Sequence, residues 1–129
     1  MDQIRELTRA EEQIMHVLWS IGKGFVNNVI QQLPEPKPAY NTVSTIIRIL
    51  EQKGFVDHTA YGRAHEYYPL VGKKDYSKAY FKHFVNSYFG SYGSLASFLT
   101  REENLSLKEL EDIRKMVDDE ITKKTMTDE

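Results

Sequence analysis

The chain has 129 residues, a formal net charge of −2, 40% hydrophobic and 28% charged residues, and no cysteine. That length fits one domain or a small domain with an appendage, the composition is that of a folded rather than a disordered chain, and the missing cysteines exclude disulfide frameworks, thiol catalysis and thiolate metal centres. No run of 18 apolar residues occurs and the opening Met1-Asp2-Gln3-Ile4-Arg5-Glu6 has no apolar core, so we expect a cytoplasmic protein with no secretory leader and no membrane insertion.

The first element starts at Thr8-Arg9-Ala10-Glu11, which has the form of a capping box: Thr8 takes the Glu11 amide and Glu11 reaches back. Ile14, Val17, Leu18 and Ile21 then recur at helical spacing, and Gly22 and Gly24 stop the helix. A second, shorter apolar set is Val26, Val29, Ile30 and Leu33. It ends in Pro34-Glu35-Pro36-Lys37-Pro38, a stiff connector that cannot continue a helix.

From Asn41 to Lys53 the apolar positions are Val43, Ile46, Ile47 and Leu50, while Asn41, Ser44, Thr45 and Arg48 fall opposite, with Tyr40 at the entrance and Gly54 as the stop. That outer face carries short hydrogen-bonding side chains and no acid before Glu51, unlike the mixed Glu and Lys of a plain solvated helix. Phe55-Val56 opens an extended run to Tyr61. Tyr61-Gly62-Arg63 is a turn, and His65 to Leu70 alternates as a second strand. Three helices followed by a hairpin is the order of a winged helix-turn-helix.

After Lys73-Lys74 the character changes. Tyr76, Tyr80, Phe81, Phe84, Val85, Tyr88, Phe89 and Tyr92 crowd one stretch broken by Gly90 and Gly93, and a short apolar piece, Leu95-Ala96-Ser97-Phe98-Leu99, follows. Ser106-Leu107-Lys108-Glu109 is a second capping box. It opens a helix with Leu107, Leu110, Ile113, Val117 and Ile121, which should fray from about Lys123. The fold class is therefore mainly α with a small β-hairpin: a winged helix-turn-helix DNA-binding domain over residues 1–74, a helical dimerisation domain over 75–124, and a frayed tail over 125–129. Two or three short helices make a poor core by themselves. We expect a second copy of the chain to complete it, through Tyr80, Phe84, Phe89, Leu110, Ile113 and Val117; the other arrangement is that these helices fold back on their own winged helix.

The charge distribution agrees with a phosphate-facing first half. Between Lys37 and Lys74 six basic residues stand against the three acids Glu51, Asp57 and Glu66, whereas from Asp75 to Glu129 eight basic residues stand against eleven acidic ones. A helix-turn-helix puts its second helix in the major groove. The candidate contacts with double-stranded DNA are then Tyr40, Asn41, Thr42, Ser44, Thr45 and Arg48 on that helix, with Arg63 and His65 on the hairpin and Lys53, Lys73 and Lys74 as phosphate contacts. Asn pairs bidentately with adenine, the Thr methyl meets thymine, and Arg meets guanine or phosphate. Tyr67, Tyr68 and Trp19 are read as packing residues. A solvated polar face on a protein-interaction module would have the same residues. Catalysis finds no support: His16, His58, His65 and His83 are scattered, no His-Glu-x-x-His pair occurs, Gly22-Lys23-Gly24 lacks the pattern of a phosphate loop, and there is no Gly-x-Ser-x-Gly elbow. No metal and no cofactor are expected.

Three stretches resemble the penicillinase repressor (BlaI/MecI/CopY) family of transcriptional regulators. They are Leu7-Thr8-Arg9-Ala10-Glu11 with Ile14-Met15-His16-Val17-Leu18-Trp19, the run Tyr40-Asn41-Thr42-Val43-Ser44-Thr45-Ile46-Ile47-Arg48 continuing to Gly54, and Gly62-Arg63-Ala64-His65-Glu66-Tyr67-Tyr68-Pro69-Leu70-Val71. The resemblance implies a homodimeric repressor on a dyad-symmetric operator, with Thr42 and Thr45 matching threonines that face the groove. It also implies, for the penicillinase branch, a membrane sensor-protease that cuts the dimerisation helices before a Phe. The matching bond here is Ser97-Phe98, where that branch has Asn-Phe. The copper-sensing branch uses a C-terminal cysteine cluster that this chain lacks, and the family's frequent Ser-Pro before the recognition helix is replaced by Ala39-Tyr40. A winged-helix regulator answering to a ligand or a partner is the other regulatory reading.

Overall fold

The structure is a computed structural model in which residues 6–127 are described. The expectations for Met1 to Arg5 and for the last two positions of the tail lie outside those residues. The order is α1 (Arg9–Ile21), α2 (Val26–Gln32), α3 (Tyr40–Gln52), β1 (Val56–Tyr61), β2 (Ala64–Pro69), α4 (Lys73–Tyr88), α5 (Tyr92–Arg101) and α6 (Leu107–Thr127). Helices α1 to α3 with the hairpin form the winged helix-turn-helix.

The capping box of α1 is made in full. The Glu11 amide donates to Thr8 Oγ1 at 3.2 Å, and the Thr8 amide donates to Glu11 Oε1 at 2.9 Å. The helix buries Ile14, Met15 and Leu18 on one face and ends on Gly22, whose amide returns to the Leu18 carbonyl. Gly24 does not belong to that stop. Its amide and carbonyl pair with the carbonyl and amide of Tyr67 at 2.9 and 2.8 Å, adding a one-residue third strand beside β2. Local sequence marks Gly24 only as a helix breaker because its partner lies 43 residues away.

Helix α2 buries Val26 and Val29, and its last carbonyls are answered by Lys37, whose ammonium donates to the Leu33 and Gln31 carbonyls at 2.6 and 3.2 Å. Helix α3 buries Val43, Ile47 and Leu50. The hairpin is antiparallel with His58 opposite Tyr67 and Ala60 opposite His65. Its two-residue turn has Gly62 at φ 64° ahead of Arg63, the first-position glycine of a type II′ turn, which suits the twist of the strands.

These elements close one core of Ile14, Met15, Leu18, Val26, Val29, Leu33, Val43, Ile47, Leu50, Phe55, Val56, Tyr67 and Tyr76. Each fully buried Leu, Ile or Phe in it contributes about 1.5–3 kcal/mol. Tyr76 belongs to α4, yet its ring meets Trp19 and Phe55, and its hydroxyl accepts the Leu7 amide at 3.1 Å. The Trp19 indole donates to the Val71 carbonyl at 2.8 Å. The beginning of α4 is thus part of the winged-helix core, and the chain divides into compact units between Phe81 and Lys82 rather than after residue 74, where composition changes.

In the second unit, Val85 is fully buried, Phe84 and Phe89 are half-buried, and their rings contact each other and those of Tyr88 and Phe98. Ser91 caps α5, its hydroxyl accepting the Ser94 amide at 3.0 Å. The second capping box is also complete: the Glu109 amide donates to Ser106 Oγ and the Ser106 amide to Glu109 Oε1. Helix α6 continues to Thr127, beyond the expected start of fraying at Lys123. Pairs such as Lys115 with Asp119, one turn apart, support it. Neither α5 nor α6 buries a single residue.

Candidate nucleic-acid interface

Helix α3 presents its sides unequally because a helix turns once in 3.6 residues. With Val43, Ile47 and Leu50 turned inward, Asn41, Thr42, Thr45 and Arg48 are exposed on the outer side. Ile49 is exposed there too. The helical pattern of the sequence assigns it neither to the core nor to the contacts, and an apolar side chain on such a face suits a thymine methyl.

Tyr40, Ser44 and Arg48, each four residues apart, line one wall of a groove of about 610 Å³. Arg63 and His65 of the hairpin line another wall, and Phe25, Asn27 and Asn28 at the start of α2 close the end. Residues from three separate stretches therefore meet in one concave surface. Arg48 is directed along it by a hydrogen bond from Nη2 to Ser44 Oγ at 3.3 Å. Asn28 is partly committed, its side-chain oxygen accepting the Phe25 amide at 2.8 Å. Tyr67 forms the floor. Burial, and after it the charge of Glu51, push its phenol above the ordinary value, so it faces the groove as a neutral group. Tyr67 and Trp19 are thus packing residues, as the sequence suggests.

Lys53 lies elsewhere. Its ammonium is 2.6 Å from Glu11 Oε1, a carboxylate nearly excluded from solvent. Burial pushes the Glu11 carboxyl up, but the hydrogen bond from Lys53, those from Thr8 and the Lys53 charge together hold it below the ordinary value. This lysine ties the end of α3 to the start of α1. Arg63, Lys73 and Lys74 are exposed.

The histidines are not all scattered. The rings of His58 and His65 stack with centroids 4.0 Å apart and planes 8° from parallel. His58 Nδ1 lies 2.7 Å from Glu51 Oε2, which joins the hairpin to α3. Glu51 and His58 sit on a helix and a strand that meet only in the folded chain, so no spacing rule connects them.

The profile of the penicillinase repressor family matches residues 7–119. The chain belongs to the penicillinase repressor family. It is 31% identical over 114 residues to the methicillin resistance regulatory protein MecI of Staphylococcus aureus (strain N315), covering 87% of this chain and 93% of that protein. It is 25% identical over 126 residues to the penicillinase repressor of Bacillus licheniformis, covering 96% and 98%. Among solved structures, the DNA-binding domain of the repressor BlaI superposes with a TM-score of 0.50 at 30% identity, covering 59% of this chain and 94% of that domain. The solved BlaI domain is that repressor's DNA-binding domain. Among the described residues, no helix is long and apolar enough to cross a membrane.

Proposed function

We propose that the chain is a cytoplasmic transcriptional repressor that binds a dyad-symmetric operator as a homodimer, α3 reading the major groove and the Gly62-Arg63 turn lying against the backbone. The observation that carries this reading is the division of α3. Its apolar side is fully used by the core, and its polar side, Asn41, Thr42, Thr45 and Arg48, is exposed beside a groove rimmed by Arg63 and His65. Amide, hydroxyl and guanidinium groups at successive turns of one exposed helix are what base edges in a major groove require.

Dimerisation is supported by the second unit. Val117 and Ile121 are 51% and 57% exposed on α6, in line with the half-buried Leu110 and Ile113. Spacings of three and four residues make this a seam for a like helix. A large apolar stripe on a small helical unit needs a cover, and a second copy supplies a self-complementary one. Two weakly charged heads held together then bind as one, at high effective concentration. Ser97 and Phe98 are exposed on α5. A membrane sensor-protease that cuts between them would sever this unit and release the heads from each other without altering α3.

The experiment is footprinting of the purified chain on its own promoter region, paired with sedimentation. A protected palindrome, a dimer at micromolar concentration, and loss of both dimer and protection in Val117→Glu are the expected results. A protein that sediments as a monomer and protects no promoter fragment is incompatible with the proposal.

A further inference from the structure

We propose that Glu51, Asp57 and His58 form a binding site for a divalent transition-metal ion of the zinc type, joining the recognition helix to the wing. One carboxylate oxygen from Glu51, one from Asp57 and a ring nitrogen of His58 all lie within 4.8 Å of one another. His58 Nδ1 is 2.7 Å from Glu51 Oε2 and 4.0 Å from Asp57 Oδ1. In a tetrahedral site with bonds of about 2.0–2.2 Å, ligand atoms stand about 3.4 Å apart. The two observed separations bracket that value, so rotation of the carboxylates about their terminal torsions brings all three groups onto one ion. An imidazole with two carboxylates is a donor set that first-row divalent ions accept.

Three further features favour a cation. First, the charge is only partly compensated: Asp57 Oδ1 accepts the His58 amide at 2.8 Å, and His58 is the ion-pair partner within 4.0 Å of each carboxylate among the described residues. Second, Glu51 sits in the last turn of α3, where the helix carbonyls already make the potential negative and a carboxylate is disfavoured. Third, the imidazole is held in place by its stack on His65 and its contact with Glu51, and a fixed ring loses less freedom on binding metal. Glu51 and His58 side chains are 28% and 27% exposed, leaving an open side on which water completes the coordination. Metal binding here cross-links α3 to β1 and replaces two negative charges close to the DNA-reading face by a neutral centre.

The test is a Co²⁺ titration of the full chain followed by absorbance, with Zn²⁺ stoichiometry from equilibrium dialysis. One ion per chain is expected, with visible Co²⁺ bands that Zn²⁺ removes. His58→Ala should abolish the bands, Glu51→Gln should weaken Zn²⁺ at least tenfold, and His83→Ala, in the other unit, should change neither. Circular dichroism checks that each variant is folded. If His58→Ala loses helical signal, Asp57→Asn, which removes an exposed carboxylate, makes the same comparison by its Co²⁺ affinity. No Zn²⁺ retained at about 100 μM free metal, or unchanged binding in the folded variants, overturns the proposal. Neither result bears on operator protection, which is measured without added metal.

Discussion

Lys53 Nζ and Glu11 Oε1 are 2.6 Å apart across 42 residues of sequence, joining the C-cap of α3 to the first turn of α1. The same carboxylate closes the α1 capping box, so one buried group fixes two helix ends. Lys53→Met leaves Glu11 buried without its cation and should destabilise the fold by about 3–5 kcal/mol at neutral pH. The Glu11 value is lowered in the folded state, so its contribution is present above the unfolded value of 4.5 and is lost as pH falls through the lowered one. Thermal melts of both proteins from pH 7 to pH 3 should show their difference shrinking below about pH 4, where carboxylates protonate. A gap independent of pH would mean that Lys53 acts through packing of its stem alone.

Gly24 pairs with Tyr67 in a site with no room for a side chain. A Cβ there would stand 2.9 Å from Ile21 Cδ1 and 3.1 Å from Asn28 Cβ. The first is the end of a flexible chain, but the second is fixed by the backbone of α2. Gly24→Ala should therefore cost about 1–3 kcal/mol in urea unfolding and loosen the wing. An unchanged midpoint would show that the start of α2 can move aside.

The two kinds of DNA contact proposed for this chain separate by salt. Asn41→Ala or Thr45→Ala should weaken the specific operator by about 1–3 kcal/mol and leave random DNA nearly unaffected. Arg63→Ala should weaken both and reduce the slope of log affinity against log salt by roughly one. Fluorescence anisotropy at several salt concentrations distinguishes them. Equal losses on both sequences for Asn41→Ala would assign that residue to the backbone, and an unchanged slope for Arg63→Ala would remove the wing from it.

Ala39 stands at the N-cap of α3 with no side-chain acceptor for the first amides. Ala39→Ser supplies one and should stabilise the fold by about 1 kcal/mol, seen as a higher melting temperature. A fall instead would mean that the added hydroxyl meets a hydrogen-bonding competitor in the Pro38 connector.

Local rules within the sequence were sufficient for the elements of this protein. Both capping boxes, the apolar faces of α1 and α3, the proline break and the Gly62 turn depend on residues within a few positions of each other, and periodicity exposes them. The family was equally legible, because its motifs lie in those same elements. Contacts between distant segments were decided by the tertiary structure alone. It committed Lys53 to Glu11, gave Gly24 a strand partner in Tyr67, drew Tyr76 into the winged-helix core, and brought His58 against both Glu51 and His65. Each of these is a meeting of side chains or backbone groups separated by 7 to 69 positions. Residue type and spacing carry no record of such neighbours, since they arise only when packing of the shared core fixes where each helix end and strand edge lies.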